Sequence, residues 1–338
     1  MTKQTKKKKE NRRKRKILLA LLLIVFTGVI LTASTYAWFT SNKTVTVDSI
    51  DVQVQAANGI QISTDATNWK ATVTNTDLNN TLQASSAYSN NTNQLPFKSA
   101  DKSVRPVSTN GIADSGRLPM YLGTLGNDAS GNTTLTTVQS VESKGNTGDF
   151  VVFDLFFQVT SNSVVKLGTG SDVKTASTGT NKGLKNAARV AFLNLGHTDL
   201  GAAPATAQAL SSGTEVKIWE PNTNVHTAAA VNDALSTYGL SITQSQVLPN
   251  YYGVAKEIST GVSLKNQTDS NIGSNFTKVT PAITSVGDGL TADADWFTLQ
   301  AGITKIRFYL WIEGQDVDCE NTASGDSITY TMNFVLAE

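Results

Sequence analysis

The sequence contains few of the residues that form the disulfides of small exported domains and the catalytic sites of hydrolytic enzymes. Its 338 residues contain one cysteine, Cys319, and two histidines, His197 and His226. A single cysteine excludes an internal disulfide framework, so stability must come from burial. The histidines stand 29 residues apart in polar segments, and neither an HExxH nor a GxSxG motif occurs. The usual signatures of a zinc peptidase and of a serine hydrolase are therefore missing, and we expect no enzyme and no cofactor.

Positive charge is rare outside one segment at the N-terminus. Ten of the first 16 residues are Lys or Arg, and the uncharged run Ile17–Leu31 follows them. This order is typical of a secretory signal. The small residues Thr35 and Ala37 fit a signal-peptidase site, which predicts cleavage between Ala37 and Trp38, with Ala33 and Ser34 just upstream as competing positions. Because the uncharged window continues to Phe39, a retained membrane anchor stays open as the alternative.

Export changes the charge of the remaining chain. Without residues 1–37 the chain keeps 18 basic and 26 acidic residues, a net charge of about −8. Such a charge favours solubility and repels the phosphates of nucleic acids. We therefore predict an extracellular protein that has no nucleic-acid partner and meets a membrane only through its signal segment.

Alternating apolar residues indicate strands through most of the exported part. The pattern VTVDSIDVQV at 45–54 has period two with a slip near Ser49, which predicts either two strands or one bulged strand. The most apolar segment, 150–159, favours a central strand covered on both faces. Shorter strands are predicted at 189–195 and 215–219. Between 73 and 97 the polar composition predicts a long surface excursion.

Two further alternating segments, 303–311 and 327–336, lie near the C-terminus. We predict that they pair as antiparallel neighbours across a reversal at 313–326. One helix is predicted over 227–238, as a surface decoration that ends at Gly239. Many β segments, little helix and turns rich in Gly and Asn together predict an all-β, antiparallel β-sandwich with long loops.

Two acidic loops are candidate sites for a hard cation. Carboxylates at alternate positions near a glycine can gather oxygen ligands around calcium, although the spacing here is not that of an EF-hand. The alternative interpretation is a solvated turn. The first loop contains Glu313, Asp316, Asp318 and Glu320, and the second contains Asp288, Asp293 and Asp295.

The single cysteine and the tryptophans have simpler interpretations. Cys319 is expected to be a free thiol or to be buried. The tryptophans are interpreted as core or interface anchors in preference to a sugar-binding platform. They are Trp38, Trp69, Trp219, Trp296 and Trp311.

Both ends of the chain resemble a known family. The apolar run closing in TYA is followed by WFTSNKTVTVDSIDVQV, and the C-terminal part contains KIRFYLWIEGQDVDCENTASGD and ITYTMNF. Together with GIQISTDATNW, these segments are similar to the TasA and camelysin family of exported proteins of Gram-positive bacteria. The resemblance implies a jelly-roll sandwich, processing after Ala37 by a SipW-type signal peptidase, and extracellular fibres. In such fibres the N-terminal strand of one subunit completes the sheet of the next.

These features divide the chain into a signal helix at 1–37, a donor strand at 38–48 and a β-sandwich domain at 49–338. A donated strand and its accepting edge are different surfaces, so the contact propagates as a filament of identical subunits. We therefore predict a fibre subunit of a biofilm matrix or surface filament. The alternative is a monomeric, membrane-anchored binding module or adhesin. The side chains expected to fill the neighbour's groove are Trp38, Phe39, Val45 and Val47.

Overall fold

Strands dominate the protein, as its alternating sequence predicts. The computed structural model describes residues 45–337, except 55–58, 82–92, 97–102, 146, 177–181, 266–272 and 288. It is 48% strand and 13% helix. The described residues belong to one compact unit, Tyr36–Glu338. The predicted signal segment, the cut site at Ala37 and Trp38, and Phe39 lie outside them.

Twenty-one strands and three short α-helices make up the described part. The helices are α1 (Asn75–Thr81), α2 (Pro204–Ala209) and α3 (Ala228–Asp233). The strands are β1 (Val45–Val54), β2 (Ile60–Ser63), β3 (Thr72–Val73), β4 (Asn93–Gln94), β5 (Ser103–Val104), β6 (Val107–Ser108), β7 (Met120–Asn127), β8 (Thr133–Ser140), β9 (Lys144–Gly145), β10 (Val151–Val159), β11 (Ser163–Leu167), β12 (Asp172–Thr175), β13 (Ala188–Thr198), β14 (Glu215–Glu220), β15 (Tyr251–Val254), β16 (Ile258–Ser263), β17 (Phe276–Val279), β18 (Ile283–Thr284), β19 (Ala294–Leu299), β20 (Gly302–Ile312) and β21 (Ser327–Leu336).

Two large sheets form a sandwich-like core. The first has the order β19-β11-β21-β1-β3, with β12 also on β21 and β5 also on β1. The second has the order β18-β14-β13-β20-β10-β4-β9, with β2 also on β10. Two smaller sheets, β16-β8-β7-β6 and β15-β17, complete the fold.

Aromatic side chains join the two large sheets. Phe334 of the first sheet meets Phe308 of the second edge to face, with ring centroids 6.0 Å apart. Trp296 lies 4.3 Å from Phe334 and 5.4 Å from Phe192. Such pairs add to the stabilisation from burial alone. Trp296, Trp219 and Trp311 are almost fully buried, which confirms the core interpretation for these three tryptophans.

The segment 45–54 forms one strand, β1, which runs parallel to β21. The pairing extends from Thr46 opposite Ser327 to Val54 opposite Phe334, with a register shift between Val47 and Ser49. The shift confirms the predicted slip. Our prediction of a purely antiparallel sandwich is wrong, because β1 and β21 lie side by side and run in the same direction.

The predicted antiparallel pairing of the two C-terminal strands is wrong. β20 lies between β10 and β13 in the second sheet, whereas β21 lies in the first. The connection between them, 313–326, is a largely buried crossover and not a tight reversal. Their apolar faces meet across the core instead of lying next to each other in one sheet.

Three predictions about single elements are confirmed. β10 is buried along nearly its whole length and lies inside its sheet, as expected for 150–159. β13 and β14 correspond to the predicted strands at 189–195 and 215–219. The predicted helix is present as α3 followed by a π-helical turn, Ala234–Tyr238, and ends at Gly239 with a left-handed φ of 71°.

Two predictions about surface elements need correction. The helical segment is more than a surface decoration, because Ala234 and Tyr238 are buried and belong to an apolar cluster that includes Val317. The polar stretch 73–97 is also more than a surface excursion. In its described part Leu78 and Leu95, like Val73 at its start, lie in the main core.

Candidate functional site

The acidic loop at 313–320 is buried, and its carboxylates have separate protein partners. Glu313, Asp318 and Glu320 are almost fully buried, so the solvated-turn interpretation is wrong. Each acid has its own protein partners. Glu313 accepts from Trp311 Nε1 (3.0 Å), Asp316 pairs with Arg189, Asp318 pairs with His226, and Glu320 accepts from the Thr322 backbone N–H.

These separate partners give no support to the predicted cation site in the loop. Among the described residues no group of three His, Cys, Asp or Glu side chains could hold a metal ion. In the second acidic loop Asp288 lies outside the described residues. Asp293 accepts hydrogen bonds from the backbone and hydroxyl of Thr169, and the Asp295 side chain is 81% exposed.

Arg189, on β13, is the centre of the buried network. Its Nη2 donates to Glu220 Oε1 at 2.7 Å and to Asp316 Oδ2 at 2.5 Å. Its Nη1 donates to two backbone carbonyls at 3.0 Å. Burial opposes the charged form, but the two carboxylates outweigh it and raise the pKa of Arg189. The guanidinium carbon also lies 5.5 Å from the centre of the Tyr251 ring.

His226 is buried beside this network and not in the polar loop predicted from the sequence. Its Nδ1 lies 2.6 Å from Asp318 Oδ2, and its Nε2 lies 2.8 Å from the Gln246 carbonyl oxygen. Both partners are hydrogen-bond acceptors. The imidazole can donate to both of them only when each of its ring nitrogens carries a proton. Burial lowers the pKa of His226, but the hydrogen bond that it donates to Asp318, together with the charges of Asp318 and Asp316, outweighs burial and raises the pKa to about 9. The other histidine, His197, is on β13 near the Ala301 carbonyl oxygen.

A pH dependence of stability follows from this raised value. A histidine whose folded pKa lies above its unfolded value of about 6.5 stabilises the fold fully below pH 6.5, and this contribution is lost as the pH rises through about 9. We expect the free energy of unfolding to fall by roughly 2 kcal/mol between about pH 7.5 and about pH 9.5. The buried Glu220 and Glu313, whose pKa values burial raises to about 7, titrate mainly below that window. Urea unfolding measures the change.

The two histidines provide a matched pair of variants for this measurement. His226→Gln should remove most of the loss of stability on the alkaline side, and His197→Gln should keep it. An unchanged pH dependence in the His226→Gln variant would assign the effect to another group.

A pocket of about 320 Å³ opens over Arg189. Arg189, Glu220, His226 and Asp316 supply charged groups, and tyrosine and aliphatic side chains supply much of the remaining wall. Three buried polar atoms of lining residues have no hydrogen-bond partner among the described residues: Arg189 Nε, Glu220 Oε2 and Tyr251 Oη. The full lining is Arg189, Glu220, His226, Tyr238, Leu240, Leu248, Pro249, Asn250, Tyr251, Tyr252, Gln315, Asp316 and Val317.

The side chains that line this pocket can hold a ligand through charge, hydrogen bonds and aromatic contacts. Cys319 is a free, buried thiol, as expected, and burial raises its pKa well above the usual range. The pocket therefore offers charge, aromatic faces and unsatisfied polar atoms to a ligand.

The sequence identified some of these residues but not their grouping. Asp316 and Asp318 were singled out as cation ligands, and His226 only as one of two isolated histidines. Arg189 and Glu220 were not singled out. Their signal was a charged residue at one end of each of two predicted strands, where charges of opposite sign can meet if the strands are neighbours.

Two of the predicted donor residues fill the core of their own chain. Val45 and Val47 are almost fully buried in β1, which pairs with β21 and β5 of the same chain. The predicted border between 38–48 and 49–338 falls inside β1 and does not coincide with the end of an element. A donated strand that contains these two valines must therefore first detach from its position in its own subunit.

Within the ranges that the structure describes, no helix combines the length and apolar character needed to cross a membrane. The predicted signal segment lies outside those ranges.

No protein-family model, curated protein or solved structure matches this chain, so the resemblance to the TasA and camelysin family stays a prediction.

Proposed function

We propose that this chain is an exported structural subunit that polymerises into extracellular fibres by exchange of its N-terminal strand. The support from the sequence is the basic and apolar order of the first 37 residues and the resemblance at both ends. The observation that carries the proposal is the position of β1. It is the first strand of the described residues, and it lies along the C-terminal strand β21 with buried side chains.

The donated element in this proposal is β1, Val45–Val54, and not the predicted segment 38–48. Five apolar side chains of β1 point into the core and are buried. A terminal strand of this kind can leave its position in one subunit and occupy the same position in the next, with the same hydrogen bonds and the same buried area. The five side chains are those of Val45, Val47, Ile50, Val52 and Val54.

The two flanks of β1 differ in a way that favours exchange. On one flank β21 pairs with nearly the whole strand. On the other flank β5 and β3 each pair with only two residues of β1. Between β5 and β3 the side chain of Asn75 makes hydrogen bonds to the β1 backbone like those of a neighbouring strand. It accepts from the Ile50 N–H at 2.9 Å and donates to the Asp48 carbonyl oxygen at 3.1 Å. Short, separable contacts on this flank leave β21 as the main accepting edge.

Exchange between identical subunits produces a filament. The donated strand and its accepting groove are different surfaces, so the contact is heterologous and repeats unless the rotation closes a ring. In this proposal a SipW-type signal peptidase removes residues 1–37, and the fibres lie outside the cell, on its surface or in a biofilm matrix.

A disulfide between β1 and β21 of one subunit tests the proposal. Asp51 and Thr331 are direct neighbours on these strands and are half-buried. Neighbouring strands lie about 5 Å apart, within reach of a disulfide. The Asp51→Cys/Thr331→Cys variant, oxidised as a monomer, should form no fibres in the electron microscope and should form them after reduction.

The single variant Asp51→Cys is the control, and it should polymerise under both conditions. Fibres formed by the oxidised double variant would contradict strand exchange.

A second candidate function has its own support. β1 already occupies its own subunit, and the pocket over Arg189 is suited to a ligand. Both observations fit a monomeric, membrane-anchored binding module or adhesin. The two candidates differ in whether residues 1–37 remain on the extracellular protein.

A further inference from the structure

We propose that the pocket over Arg189 binds a primary ammonium group carried on a short apolar chain. This inference does not depend on fibre formation. Its basis is the excess of negative charge at the base of the pocket, the unpaired polar atoms there, and the aromatic and aliphatic walls above them.

The charges at this site do not balance. Among the described residues that line the pocket, the cations are Arg189 and His226, and both are already paired. Arg189 is shared by Glu220 and Asp316, and His226 by Asp318. Glu313 lies fully buried close enough to Arg189 for the two charges to interact. Four carboxyl groups therefore face two cations. When all four are ionised the site has an excess of negative charge, which a further cation would relieve.

One carboxylate has an oxygen free to accept from such a cation. Glu220 is 3% exposed and lines the pocket, and its Oε1 is occupied by Arg189. Its Oε2 is buried and has no hydrogen-bond partner among the described residues. The Tyr251 hydroxyl, on the same pocket lining, is also unpartnered there. Leaving such groups unsatisfied is costly, and an ammonium group with three N–H donors can satisfy both.

The apolar side chains that line the pocket favour a ligand with an apolar chain. Tyr238, Leu240 and Leu248 line the pocket together with Tyr252 and Val317. Aliphatic side chains can bury the methylene groups of the ligand, and tyrosine rings attract a nearby cation. The volume of about 320 Å³ is at the small end of ligand pockets, which suits a side chain or a small amine.

An anionic ligand fits this site poorly. The only unpaired donor of Arg189 is its Nε, and the guanidinium is already neutralised by two carboxylates. A carboxylate or phosphate placed here would add a negative charge to a site where the carboxyl groups already outnumber the cations.

The binding should depend on pH through Glu220. Burial raises the pKa of this carboxyl to about 7, although Arg189 opposes the change. The other groups that act on Glu220 are Asp316 and Asp318 of the crossover and His226. A cation binds the ionised carboxylate better, so affinity should increase by up to about tenfold between about pH 6 and about pH 8.

Isothermal titration calorimetry of the full chain in mild detergent tests the proposal with three ligands of equal length. They are n-butylamine, butan-1-ol and butyrate, which are cationic, neutral and anionic. We expect n-butylamine to bind at least about tenfold more tightly than the other two, because an unpaired buried carboxylate discriminates for charge. Equal binding of amine and alcohol, preference for butyrate, or no binding of the amine would overturn the proposal.

Two substitutions connect binding to the pocket. Leu240 is 40% exposed and lines it, so Leu240→Trp should fill the opening without disturbing the core and should weaken butylamine binding at least about tenfold. Leu235 lies five residues earlier in the chain, is 60% exposed and does not line the pocket, so Leu235→Trp is the matched control. If Leu240→Trp leaves the affinity unchanged, the amine binds elsewhere.

A final comparison separates two sources of the ammonium group. Butylamine represents a free amine, and Nα-acetyl-lysine methylamide represents a lysine side chain of a protein partner. Tighter binding of the lysine derivative would assign the pocket to a protein partner, and tighter binding of butylamine to a free amine. Failure of both would overturn the inference while leaving strand exchange untouched.

Discussion

A chain that begins at residue 55 should not fold by itself, whereas a chain that begins at Val45 should keep nearly its full stability. The difference is β1, whose five buried apolar side chains belong to the main core. Burying each stabilises the fold by about 1.5–3 kcal/mol, or roughly 8–15 kcal/mol in total. The whole stability of a domain is typically about 5–15 kcal/mol. Loss of β1 should therefore remove the cooperative unfolding transition in urea.

A synthetic peptide with the β1 sequence VTVDSIDVQV should restore the fold of the chain that begins at residue 55. Restoration in trans would show that the position beside β21 accepts a strand from another molecule. The control peptide carries Ile50→Asp and Val52→Asp, which would place charges in an apolar groove, and it should have no effect. Cooperative unfolding at full stability without β1, or equal rescue by both peptides, would contradict this account of the strand.

Asp154→Asn should cost about 3–5 kcal/mol, the typical cost of breaking a buried ion pair. Asp154 lies fully buried on β10 and contacts two cations of β20. Its oxygens accept from Arg307 Nε at 2.7 Å and Nη2 at 3.0 Å, and Lys305 Nζ lies 3.3 Å away. The variant would leave both cations in the interior without their main counter-charge.

Asp295→Asn is the matched control for this substitution. The Asp295 side chain is 81% exposed and lies 3.8 Å from Lys166, so its loss should change stability by no more than about 0.5 kcal/mol. Urea unfolding of both variants measures the difference. Equal effects would mean that the buried network contributes no more than a surface pair.

The sequence predicted individual strands well because period-two alternation is a local property. The bulge in β1, the buried β10 and the helix ending at Gly239 all followed from neighbouring residues. The pairing of β20 with β21 failed because strand partners depend on the path of the crossover at 313–326, which looked like a polar turn. Residues typical of a turn do not show whether the rest of the fold will bury the segment.

Buried charge was the other feature that alternation could not predict. Lys305 and Arg307 gave β20 an apparent polar face, but the whole strand is buried. The available signal was Asp154, a single acid within an apolar strand, which lies opposite Arg307 in the sheet. In the same way the acids of the 313–320 loop resembled cation ligands. Their partners, Arg189 and His226, are brought to them only by the tertiary fold.

Cross-linking between two single-cysteine variants tests strand exchange most directly. Subunits with Asp51→Cys on β1 are mixed with subunits with Thr331→Cys on β21, allowed to polymerise, and oxidised. The account predicts disulfide-linked pairs containing one subunit of each kind, because β1 of one subunit lies against β21 of its neighbour in the fibre. Fibres in which these cysteines form no cross-link between subunits would contradict it.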